Sequence, residues 1–494
     1  MNAYRQYTIY TRQIGYVIGS EILFLLLNFI LFPILTKGLG TTLYGTWSLI
    51  LATISLIVPF AGLGLSSATV RLLAGEKDRG IIRDDFLSMF SITFASGAAF
   101  SVALFLVSDY LAVSIFKDIN SSLFIKVASA LILLESISVL PGSLLRAFRK
   151  IGLSEVIKIF TQILRFSLIA AAIFLGYKLW GVITAVVIYT IISTLVTLFI
   201  VLRDTGVQLP RFSRIKAHLR YGVPLTPNSA LMWIINVSDR YIISYFMGTA
   251  FTGIYSAAYA LGYYASFLLG PLGWVLAPTV IKSYDEGNLG ETRTYLKYSL
   301  RYFMMIAIPS AFGLSILAKP ILQILTTPEF VPGSNIVLFV AFGAVFFAFY
   351  SICGTIIALT YKTELLVMLL GIAATLNIIL NLILIPRMGI MGAAVATLVA
   401  YGVLGILTLI VTRKYLKFDI SMSFMLKSVF SSAVMVLCIW LINPQSIALV
   451  IISILAGILI YFVVLLLIKG LSREEIAFFI NFVKDNLSKI RMVK

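Results

Sequence analysis

The chain is poor in charge, in histidine and in cysteine. Only 12% of its 494 residues are charged while 60% are hydrophobic, against roughly 25% and 45–50% in a soluble domain. No soluble core could bury that much apolar surface, so a soluble enzyme is excluded. Disordered and fibrous chains are excluded as well, because both need polar or repetitive composition. The single histidine, His218, rules out a histidine metal cluster and a Ser/His or Cys/His relay. The two cysteines, Cys353 and Cys438, lie in apolar runs and offer neither a disulfide framework nor a metal-ligand spacing. No metal and no cofactor are expected. Acids are scarce too: 20 Asp+Glu against 38 Lys+Arg leave a formal charge of +18.

What the chain has instead is long apolar runs. A membrane-spanning helix needs about 20 such residues. Runs fall near 14–36, 43–65, 86–108, 124–145, 155–177, 181–202, 221–247, 254–278, 298–318, 335–359, 363–385, 390–411, 423–442 and 446–468. They are continuous rather than alternating, which excludes a transmembrane β-barrel. The first has no small-residue cleavage site and is too long for a signal peptide, so it counts as a span. The expected fold is an all-α polytopic membrane protein of about 14 transmembrane helices.

The basic excess then reads as topology, not as a nucleic-acid partner. With the N-terminus inside, about thirty cations fall in inner loops and tails. The outer side has six: Lys37, Lys117, Lys126, Lys178, Lys319 and Arg387. By the positive-inside rule both termini are expected in the cytoplasm.

The chain also repeats itself. At an offset of 208 residues Asn28 falls on Asn236, Gly40 on Gly248, Thr41 on Thr249, Gly45 on Gly253 and Ser48 on Ser256, with Trp47 opposite Tyr255. A second echo, WGVITAVV at 180–187 and MGAAVATL at 391–398, has an offset of 211. The near-equal offsets point to a duplicated six-span unit, its copies related by an axis along the membrane normal. The expected organisation is an N-lobe at 1–205, a C-lobe at 206–415, two further helices at 416–470 and an amphipathic cytoplasmic tail at 471–494.

Four segments, LGTTLYGTWSLI, AGLGLSSATVRLLA, SDRYIISYFMGTAFTGIYSAAYAL and MGIMGAAVATLVAY, resemble the polysaccharide flippase branch of the multidrug/oligosaccharidyl-lipid/polysaccharide exporter superfamily. The resemblance covers nearly the whole chain. It implies a non-enzymatic transporter in the cytoplasmic membrane of a prokaryote. It also implies alternating access of two lobes and a polyprenyl-(di)phosphate-linked oligosaccharide carried from the inner to the outer leaflet. H+ or Na+ as coupling ion stays open, as does association with polysaccharide-assembly enzymes; a monomer is expected. A multidrug or cation antiporter and a peptidoglycan lipid-precursor flippase remain as alternatives. A membrane glycosyltransferase is disfavoured by the short, nearly uncharged outer loops.

Such a cargo needs a wet cavity and positive charge for its phosphate. The candidates are therefore the polar residues within the spans. Arg165 and Glu135 should lie at similar depth, either neutralising each other or leaving Arg165 to meet phosphate. Asp239 and Arg240, adjacent on span seven, point about 100° apart on a helix and are not expected to pair well. Glu21, among Gly15, Gly19 and Asn28, suits an ion-coupling carboxylate or a rim residue touching water. Pro224, Pro227, Asn228 and Asn236 predict a kinked or broken seventh helix. Asn377 and Asn381 share one face of span eleven, open to sugar hydroxyls or to helix–helix bonding. Tyr255, Tyr259, Tyr263 and Tyr264 form a stripe that sugars or lipid headgroups could use. In the tail, Ser472 and Glu475 have capping-box spacing before an apolar–basic helical pattern.

Overall fold

The computed structural model describes residues 2–266, 269–472 and Glu475. Among these residues every element is helical. In order they are α1 (Asn2–Ala61), α2 (Leu65–Leu73), α3 (Arg79–Ser114), α4 (Ser121–Ala147), α5 (Ile151–Phe174), α6 (Lys178–Thr205), α7 (Ile215–Gly222), a 3-10 turn (Val223–Leu225), α8 (Thr226–Met247), α9 (Thr249–Tyr263), a 3-10 turn (Tyr264–Ser266), α10 (Leu269–Asp285), α11 (Leu289–Leu325), a 3-10 turn (Pro328–Gly333), α12 (Ser334–Leu359), α13 (Thr363–Met388), α14 (Ile390–Tyr415), α15 (Met422–Ile442) and α16 (Ile447–Leu467).

Among the described residues, eleven helical stretches are long and apolar enough to cross a membrane. One of them runs through α1, which breaks at Gly40 (φ 68°, ψ 179°), a conformation that disfavours any residue with a Cβ. Two spans of the sequence reading lie either side of that break. Spans seven and eight correspond to α8 and to α9–α10, the latter interrupted at Tyr264–Ser266. About fourteen crossings are compatible with this helix set. The predicted break in helix seven is present: α7 ends at Gly222, a 3-10 turn carries Pro224, and α8 restarts with Pro227 in its first turn. The missing N–H of proline costs nothing there, because the first amides of a helix have no internal acceptor.

By contacts the chain forms two compact units, one of 1–257, 325–333 and 370–396, the other of 258–324, 334–369 and 397–494. In the first, the arms of α1 pack with α3–α6 around Leu49, Ile50, Ile54, Leu131, Ile132, Val182 and Ile183. A second core gathers Leu65, Leu73, Phe86, Met89, Leu140 and Leu144, with Ile215 and Leu219 of α7 against it. In the second unit Arg301 of α11 ion-pairs with Glu475 at 2.8 Å. The capping box is formed, Ser472 N–H donating to Glu475 Oε2 at 2.7 Å and Glu475 N–H to Ser472 Oγ at 3.1 Å. The rest of the amphipathic tail lies outside the described residues.

Candidate functional site

The repeat is a physical contact. Built onto Gly45, a Cβ would sit 1.8 Å from the Thr249 carbonyl oxygen; built onto Gly253, it would sit 2.0 Å from that of Thr41. The two relations exchange under the 208-residue offset. The equivalent serines meet as well, Ser48 Oγ and Ser256 Oγ lying 2.7 Å apart. Trp47 and Tyr255 are both buried. Gly248 turns α8 into α9 at φ 86°, ψ 174°, much as Gly40 turns α1. Thus the second arm of α1 lies backbone to backbone against the start of α9, a proximity only paired glycines allow. At the other end of that arm Gly64 is packed on Gly222, where a Cβ would meet the Gly222 carbonyl oxygen at 2.2 Å. Further bonds tie the arm to α8, including Trp233 Nε1–H to the Ala52 carbonyl at 2.8 Å and a Thr53–Tyr241 hydroxyl pair.

Beside the Gly64 contact is a cavity of about 280 Å³, lined by Ser66, Ser67, Ser136, Thr226 and Ser229 with apolar Val58, Val139 and Leu225.

The charged candidates divide. Glu135 and Arg165 make no ion pair within 4.0 Å among the described residues. Arg165 instead lies over the Tyr189 ring at 5.9 Å, and its buried Nε has no hydrogen-bond acceptor. Asp239 and Arg240 do pair, contrary to expectation. Arg240 Nη1 is 3.2 Å from Asp239 Oδ1 and donates to the Asn236 carbonyl at 2.9 Å. The long arginine stem folds back along its own helix, overcoming the angle between neighbours. Asp239 is 1% exposed and also accepts from the Tyr255 hydroxyl, so the extra charges of the second copy are tied into the seam.

Glu21 pairs with Lys158 at 2.7 Å, both side chains over a third exposed. Asn28 and Asn236, equivalent by repeat, each donate to the carbonyl four residues back, Phe24 at 2.7 Å and Met232 at 2.6 Å. Asn381 donates to Asn377 at 2.9 Å, both side chains buried on the shared face, and Asn381 Oδ1 is left without a donor. In the tyrosine stripe Tyr255 and Tyr259 are buried and Tyr263 is half-exposed, stacked on Tyr259.

Sequence reasoning missed a polar cluster where Glu76, Asp84 and Asp85 receive the connection after α6. The signal was present: those acids fall in a segment read only for its cations. Glu76 is held below the usual carboxylate range by the Asp78 backbone N–H, the Arg214 guanidinium and the Lys77 N–H.

The apolar helices, joined by close glycine contacts, are those of a multi-pass membrane protein. A family model described as "Polysaccharide biosynthesis protein" matches residues 10–284, more than half of the chain, and the chain belongs to that family. It is 23% identical over 397 residues to the uncharacterized membrane protein MJ1068 of Methanocaldococcus jannaschii, covering 76% of this chain and 78% of that one. It is 24% identical over 200 residues to the probable low-salt glycan biosynthesis flippase Agl15 of Haloferax volcanii, covering 40% and 42%. Its fold is similar to that of a lipid II flippase MurJ in an inward closed conformation, with a TM-score of 0.73 at 20% identity over 92% of this chain and 98% of that one. The polysaccharide family indicated by the local motifs is thereby the right one.

Proposed function

We propose that the protein is a flippase for a polyprenyl-(di)phosphate-linked oligosaccharide, moving it from the cytoplasmic to the outer leaflet by alternating access of lobes 1–205 and 206–415. Both termini are then cytoplasmic. The observation that carries the cargo assignment is Arg165: a guanidinium inside an apolar helix whose buried Nε has no acceptor. Such a donor is costly in hydrocarbon and is balanced by a visiting anion. Family membership and the likeness to the flippase Agl15 support the saccharide class. The 280 Å³ cavity is at the small end for a ligand site, so it must widen for a glycan, and parting Gly64 from Gly222 would widen it.

Deleting the gene and analysing membrane lipids tests the reading: lipid-linked glycan should accumulate on the cytoplasmic leaflet. Unchanged lipids together with new drug sensitivity would instead indicate the antiporter. Accumulated peptidoglycan precursor would indicate the activity named for MurJ. In the complemented strain Arg165→Ala should abolish flipping and Arg165→Lys retain part of it. Wild-type rates in both would remove Arg165 from the mechanism.

A further inference from the structure

The connection from Gly206 to Gly222 is fastened to the start of α3 by groups that the transport reading leaves unused. Asp84 accepts the Arg211 backbone N–H at 2.6 Å and the Ser213 hydroxyl at 2.7 Å. Ser88 Oγ accepts the Phe212 N–H at 3.1 Å. Arg214 reaches Glu76 at 3.2 Å and Asp85 at 3.5 Å, and Arg83 lies against Gly206. The sole histidine completes the cluster. His218 is 1% exposed and its Nε2 lies 3.4 Å from Oδ2 of Asp85, whose side chain is 2% exposed.

The other ring nitrogen fixes the chemistry. His218 Nδ1 is 2.8 Å from the Arg214 carbonyl oxygen. A carbonyl oxygen only accepts, so Nδ1 carries a hydrogen, and a neutral ring then has a lone pair on Nε2. Against an ionised Asp85 that places lone pair opposite lone pair, away from water. Neither Nε2 nor Oδ2 has a hydrogen-bond partner elsewhere. One further proton, on Nε2 or Oδ2, satisfies both atoms.

We propose that His218 and Asp85 form a proton-binding site, and that the bound proton holds the 206–222 connection against α3. The proton is taken from solvent and returned to it. Without it, Asp85 joins Asp84 and Glu76 as three carboxylates served by Arg211 and Arg214, with Arg83 turned toward Gly206. The neutral ring then has nothing to donate to Asp85, and the connection is released as pH rises. The inference concerns this clamp and does not depend on the cargo.

A single histidine makes the test direct. The full chain, ¹⁵N-labelled at histidine and reconstituted in lipid vesicles, gives one imidazole. Nδ1 should stay protonated throughout the titration. The protection factor of residues 209–222, with the amides' own base-catalysed rate divided out, should fall as pH rises to the midpoint at which the ring environment titrates and level off above it. Below that midpoint, release of one proton on opening gives about a tenfold rise in the opening constant per pH unit. Asp85→Asn offers its own amide hydrogen to Nε2, so in that variant the connection should stay protected through this range. A neutral Nε2–H tautomer in the wild type, a protection factor that ignores pH, or an unchanged midpoint in Asp85→Asn would each overturn the proposal. If Asp85→Asn does not fold, coincidence or separation of the two wild-type midpoints decides.

Discussion

The two ends of the second arm of α1 are held by opposite means. Near Gly45 the contact is neutral and depends on missing side chains: glycine against backbone, serine against its repeat partner. Near Gly64 a glycine contact recurs, but the neighbouring connection is fastened to α3 by carboxylates, arginines and a histidine. The glycine contact at the first end is steric, with the Asp239–Arg240 pair shut away beside it rather than joining the two backbones. The second end is electrostatic and answers to pH and salt. A seam of the first kind opens only when something forces the helices apart; one of the second kind opens when its charge state changes.

The largest effect is expected at the steric end. Gly45→Ala would drive a Cβ into the Thr249 carbonyl, and Gly253→Ala into that of Thr41, with no flexible side chain to yield. Each should cost about 1–3 kcal/mol or more, as overpacking does, seen as a lower melting temperature in detergent. Equal losses for the two variants would support the symmetry, and a loss in only one would break it. Next, Asp84→Ala strands the Arg211 N–H and the Ser213 hydroxyl. We expect roughly 1–3 kcal/mol and faster proteolysis between 206 and 214, without change at the Gly45 seam. Ser48→Ala and Ser256→Ala each remove the same hydrogen bond, worth about 1 kcal/mol. The double variant should therefore lose little more than either single one, as a double-mutant cycle would show.

The smallest effect is expected at Glu76. Its folded-state pKa lies below the unfolded value, so its contribution is complete above about pH 4.3 and is lost as pH falls through the folded value. Acid should loosen Arg214 in the wild type and have less effect in Glu76→Gln, measured by exchange at 209–222. This acid limb is separate from the release proposed at rising pH, so the two can be read from one titration.

Several features were legible in the sequence because a local rule governs them. The turns at Gly40 and Gly248, the break around Pro224 and the Ser472–Glu475 capping box each depend on residues within a few positions. The residues matched at the 208-residue offset could be read from the sequence, but that they touch could not. The site was less so. Asp239 and Arg240 were separated by helix geometry but joined by the reach of an arginine. Glu135 and Arg165, expected at similar depth, make no ion pair within 4.0 Å among the described residues, because similar positions along two helices do not fix the distance between side-chain ends. Asp85 and His218 are 133 positions apart, and nothing local marks them as partners.

Composition by itself determined that the chain lives in a membrane, and hydrophobic run length determined how its helices are laid out, since burial of apolar surface and closure of backbone hydrogen bonds are imposed segment by segment. Only the tertiary structure decided which glycines touch, which charges are matched and which are left without a partner. Those are properties of faces brought together from distant segments, and their energy depends on ångström separations and on exclusion of water.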